Sequence, residues 1–125
     1  PWRRLKTIGS KRKVPLIGAA LWAAERILAS HDSTFAFPSF CNGQVLKSNS
    51  VSARLNKWLK LKIGEEYVIH SLRHSLRDRL RAIDCPSEAA DALGGWSAKT
   101  VGQSYGVGHN LVSLNRWMRL IEVSV

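Results

Sequence analysis

The sequence predicts a mainly α domain with a small N-terminal antiparallel β-hairpin. Three observations lead there. Apolar residues recur at three- and four-residue steps through 17–30, 51–61, 71–83 and 111–122, the spacing of one helix face turned to a core. Helix punctuation separates these runs: Ser48-Asn49-Ser50, Pro86, Gly94-Gly95 and Asn110. Two short basic runs flank Ile8-Gly9-Ser10, which reads as strand, turn, strand.

Taken in order, residues 2–7 are the first strand and 11–16 the second, with Gly9 easing the turn and Pro15 ending the ladder. Lys11, Arg12 and Lys13 give the hairpin a basic face suited to phosphate. The helix over 17–30 turns Leu21, Ala24, Ile27 and Leu28 to one side, and His31 follows in a solvated loop. Residues 34–47 form a loop whose Phe35, Phe37 and Phe40 are expected to pack on the core, with a turn at Asn42-Gly43. Ser48-Asn49-Ser50 offers an N-cap for a helix over 51–61. Its inward residues are Val51, Leu55, Trp58 and Leu59; Arg54, Lys57, Lys60 and Lys62 face out. No acidic residue lies between Ala53 and Ile63, so this face reads as a DNA-contacting face rather than a solubilising one.

Gly64-Glu65-Glu66 breaks that helix, and Tyr67-Val68-Ile69 leads in extended form to His70. The next helix, over 71–83, carries a stripe of Leu72, Leu76, Leu80 and Ile83. Arg73, Arg77 and Arg81 lie on another face, with Asp78 able to pair with them. His70 and Arg73 fall in the first turn, where the helix dipole and unpaired backbone N–H groups favour a phosphate. Asp84 or Cys85 caps a further helix, with Pro86 at an early position and Ala89, Ala90, Ala92 and Leu93 as its packing face. Gly94-Gly95 ends it, and Trp96 and Ser97 follow in a loop. A helix over 98–105, a linker at 108–110 and a last helix capped by Asn110, with Leu111, Leu114, Trp117, Met118 and Ile121 apolar, complete the chain.

At 125 residues the chain makes one domain with a modest core. The net charge of +10 points to a polyanion, nucleic acid before a membrane surface. No apolar run approaches the ~20 residues of a spanning helix, and no secretory signal opens the chain. Cys41 and Cys85 fit no metal spacing and read as free thiols in a reducing cytoplasm.

The ordered set His70-x-x-Arg73, Trp96 and Tyr105 resembles the C-terminal catalytic motif of the tyrosine recombinase (phage integrase) family. Arg73 and Trp96 stand 23 positions apart, Trp96 and Tyr105 nine, as that family's helices require. Lys6-Thr7, Ser10 and Val14-Pro15-Leu16 are similar to its β-hairpin, where a turn lysine reaches the active site. Lys6 is the matching position and Lys11 its rival. The resemblance implies a partial catalytic domain over 1–125 that acts by DNA strand cleavage and rejoining through a 3′-phosphotyrosyl link. Tyr105 would be the nucleophile, Arg73 the phosphate clamp, His70 a base or hydrogen-bond donor, and Lys6 the acid for the leaving oxygen. Trp96 stands where many members have histidine. An indole N–H donates but cannot accept a proton, so its role would be limited to holding phosphate. His74, also found in the family, is read as structural, and His109 as solvent-facing.

The family uses an earlier arginine, on a helix before the hairpin, and none of these residues matches it. These residues also lack the family's core-binding domain, so the chain is expected to be a piece of a longer protein and to be inactive by itself. No cofactor or metal is expected. The implied partners are double-stranded DNA and other protomers of the same recombinase, a tetramer on DNA in the full-length protein. The implied setting is bacterial or phage-encoded, in the cytoplasm on the nucleoid. Arg54, Lys57 and Arg77 join Lys11, Arg12 and Lys13 as expected DNA contacts. Two other readings stay open: a non-catalytic helix-turn-helix-like module over 88–103, and a type IB topoisomerase with the same chemistry. A metal-dependent nuclease is disfavoured, because no acidic cluster has ligand spacing.

Overall fold

The computed structural model describes residues 10–29, 33–41, 44–96 and 109–123. Among them are α1 (Gly18–Ala29), α2 (Ser48–Lys62), α3 (Ser71–Ala82), α4 (Ser87–Gly94) and α5 (Leu111–Leu120). The described residues form two compact units: 24–75, and 10–23 with 76–123.

The second unit holds the main core. Leu80 on α3, Ala89, Ala90 and Leu93 on α4, Leu114 on α5 and Ile121 just beyond it are buried together. Leu76, Ile83, Trp117 and Met118 pack around them. The small face of α4 lets its neighbours approach closely, so Leu80 is fully excluded from water. The Arg79 guanidinium donates to the Ile121 carbonyl and ties α3 to the end of α5. Asn110 caps α5 as expected, its Oδ1 accepting from Ser113 N–H at 2.8 Å. Between α3 and α4 the chain reverses at Asp84, which takes φ 53°. Aspartate tolerates that left-handed geometry better than most residues. Leu80→Ala should cost about 2–5 kcal/mol, the transfer and cavity terms together. Its midpoint in a urea melt followed by circular dichroism should fall accordingly, and an unchanged midpoint would mean that this cluster is not the core.

Among the described residues of the unit formed by 24–75, Leu59 on α2 is the buried apolar one. Asn56 Oδ1 accepts from the Ile69 backbone N–H at 2.8 Å and fastens the segment before α3 to α2. Lys60 pairs with Glu65 at 3.3 Å across the end of the helix.

The structure corrects the sequence at several points. Residues 11–17 form no strand. The first predicted strand and its turn lie outside the described residues, so the hairpin is not shown. A strand needs a ladder partner, and Pro15 lacks the N–H to supply its share. Helix α2 begins at Ser48, with Lys47 at its N-cap and no side-chain cap, so the Ser48-Asn49-Ser50 cap is not formed. Pro86, not Asp84 or Cys85, occupies the N-cap of α4. None of the apolar residues of α1 is buried. On α2, Trp58 is 55% exposed, and Leu55 is exposed too. Phe37, Leu72 and Leu111 are likewise exposed rather than packed. Periodicity identifies the apolar face of a helix; it does not supply the surface that covers it.

Candidate functional site

In 24–75, His70 ends a turn that winds directly into α3. The backbone N–H groups of Ser71, Leu72 and Arg73 donate to the carbonyls of Val68, Ile69 and His70, at 2.8, 3.2 and 3.0 Å. Ser71 Oγ accepts from Val68 N–H at 3.2 Å. The expected cradle of unpaired N–H groups for a phosphate is therefore absent at these three positions. The physical reason is the preceding turn, whose carbonyls stand where an anion would. An anion here finds no donor in those three N–H groups. Arg73 is half-buried and His70 exposed. The His70 ring meets His74 edge-on, with centroids 5.4 Å apart and planes at 76°. The sequence assigned His74 no part in the chemistry, yet it lies one helical turn from His70 and contacts its ring. The i, i+4 spacing was the available signal.

In the other unit, α4 ends at the loop that carries Trp96. Gly95 takes φ 64° and ψ 43°, and its N–H donates to the Asp91 carbonyl at 2.6 Å. A left-handed residue after the helix strongly favours glycine. Gly94 is buried against the Trp96 ring so closely that an added Cβ would overlap it. The Arg77 guanidinium lies over that ring, 5.1 Å from its centroid. Arg12 Nε donates to the Leu93 carbonyl at 3.0 Å, anchoring the helix end just before the glycines.

The expected DNA contacts thus divide. Lys11, Lys13 and Lys57 are exposed. Arg54 lies over the Phe40 ring at 5.8 Å. Arg12 engages the end of α4 and Arg77 the Trp96 ring, which the sequence did not reveal. Lys6, Ser97, Tyr105 and the predicted helix over 98–105 lie outside the described residues. His109 is exposed. Both cysteines are free thiols, and burial raises the pKa of Cys85. Among the described residues no three histidine, cysteine or carboxylate groups gather as metal ligands. No described helix is long and apolar enough to cross a membrane.

A family model described as "Phage integrase family" matches residues 3–107. No curated protein and no solved structure matches the chain significantly.

Proposed function

The chain belongs to the phage integrase family, and we propose on that ground that these residues are the later part of a tyrosine recombinase catalytic domain. The observation that carries the reading is the family match over 3–107, which encloses every motif position from Lys6 to Tyr105. It also spans the stretch that a helix-turn-helix module would need, and so favours the enzyme. The reaction is site-specific strand cleavage and rejoining in duplex DNA. The Tyr105 hydroxyl oxygen attacks the scissile phosphorus, and the bond from phosphorus to the 5′ oxygen breaks. A 3′-phosphotyrosyl link forms and a 5′ hydroxyl is released. His70 takes the phenolic proton, and Lys6, or Lys11 in its place, protonates the departing oxygen. The phosphotyrosyl bond stores the energy for religation, which runs by the reverse steps without ATP.

Negative charge gathers on the non-bridging oxygens in the transition state. Arg73 answers it with a planar fork that stays charged. The Trp96 indole N–H adds a donor. Lys11, Lys13 and Lys57 contact the flanking phosphates. Other protomers of the same recombinase complete the assembly on DNA.

Duplex binding by the chain is expected to weaken steeply with salt, the log–log slope approaching about −0.9 for each phosphate neutralised. Filter binding across a salt series would measure it, and salt-independent affinity would sink the DNA reading. In the parent protein, covalent adduct formation should survive EDTA, because side chains fill each proton and charge role. A strict need for magnesium would instead favour a metal-dependent nuclease.

A further inference from the structure

Arg77 was expected to meet phosphate, yet its guanidinium lies over the Trp96 indole, 5.1 Å from the ring centroid. A cation over an aromatic face is held by the ring quadrupole, and a planar guanidinium also stacks on it. Three further features restrain the ring or the backbone that leads to it. Gly94 receives it where no Cβ would fit. Gly95 turns the chain through a left-handed conformation immediately before it. Arg12 holds the Leu93 carbonyl at the helix end from which this loop departs. With one face of the indole covered by Arg77 and the loop beneath it restrained, the direction of the indole N–H is set by these neighbours.

We propose that Arg77 is a positioning residue that fixes the plane of the Trp96 indole and so aims its N–H. The consequence for cleavage rests on the reading of Trp96 as a phosphate donor; the restraint on the ring does not. Arg77 acts through Trp96 rather than on the scissile phosphate. A small misplacement of a positioned group costs on the order of 10²-fold in rate, so loss of Arg77 should slow cleavage by roughly tenfold to a hundredfold.

The test uses the ¹⁵N-labelled chain and its five tryptophan indole signals, with Trp96→Phe assigning one of them. In DNA-free protein, Arg77→Gln should shift the Trp96 indole signal and leave the others in place, which also reports that the fold is intact. Arg77→Lys keeps the cation without the planar stacking surface and should shift it less. In the parent protein, Arg77→Gln should slow adduct formation at saturating DNA with little change in affinity. Placed in the Trp96→Phe background, it should cost nothing more. An unmoved indole signal, a salt slope reduced by about 0.9 and an equal loss of rate in both backgrounds would make Arg77 a plain phosphate contact and overturn the proposal. If Trp96→Phe alone leaves adduct formation unchanged, the phosphate role of Trp96 falls, while the indole shift still decides whether Arg77 positions the ring.

Discussion

Tyr105→Phe in the parent protein is expected to abolish the covalent DNA adduct while duplex affinity stays close to that of the unchanged protein. The substitution removes one hydroxyl, the proposed nucleophile, and keeps nearly all of the aromatic surface. Loss of a nucleophile in a covalent enzyme has cost on the order of 10⁶ in rate, which puts the adduct below detection on a denaturing gel. Affinity is carried by phosphate contacts of cationic side chains, which the change does not touch. A suicide substrate nicked near the cleavage site traps the intermediate, so a single gel compares both proteins. An adduct that persists in the Phe variant would remove Tyr105 from the chemistry and point to another nucleophile, Tyr67 being the other tyrosine in the chain.

The 125-residue chain tested alone is expected to form adduct at least 10²–10³-fold more slowly than the parent, the order of loss seen when one preorganised electrostatic donor is removed. On the proposed reading two arginines clamp the scissile phosphate, and Arg73 is the one assigned among these residues. The bonding at the start of α3 sharpens this expectation. With the N–H groups of Ser71, Leu72 and Arg73 already bonded to carbonyls, backbone donors at those positions cannot replace the missing guanidinium. The same suicide substrate, run with the chain and the parent side by side, measures the ratio. Equal rates would mean that the first arginine is dispensable or that another cation replaces it. Repeating the assay with Arg77→Gln and Arg12→Gln would identify that cation.

Much of the helical scaffold was readable from spacing. The α4 packing face of Ala89, Ala90, Ala92 and Leu93 was predicted and is found against the core. The Asn110 cap and the exposed pair of Asp78 with Arg81, 3.5 Å apart, also follow from local rules. The spacing on α3 predicts one buried stripe of Leu72, Leu76, Leu80 and Ile83. Leu80 is fully buried, whereas Leu72, two turns earlier, is 57% exposed. Both have the same local pattern, and they differ in what packs against them. The capping errors at Ser48 and Pro86 have a similar origin. Several adjacent residues could have begun each helix, and the path of the preceding chain selected among them.

The sequence by itself determined the family, the order and spacing of the motif, and the helix faces, because each is a property of residue type and interval along one chain. It could not determine where long cationic side chains end. Arg12, Arg54 and Arg77 were alike in the sequence, three basic residues suited to phosphate. Tertiary structure sent one to the Leu93 carbonyl, one over Phe40 and one over Trp96. A guanidinium at the end of a flexible stem takes the best acceptor or aromatic face within reach, and that partner is far away in sequence. That the apolar residues of α1 stay unburied was decided in the same way, by which groups the fold brought alongside.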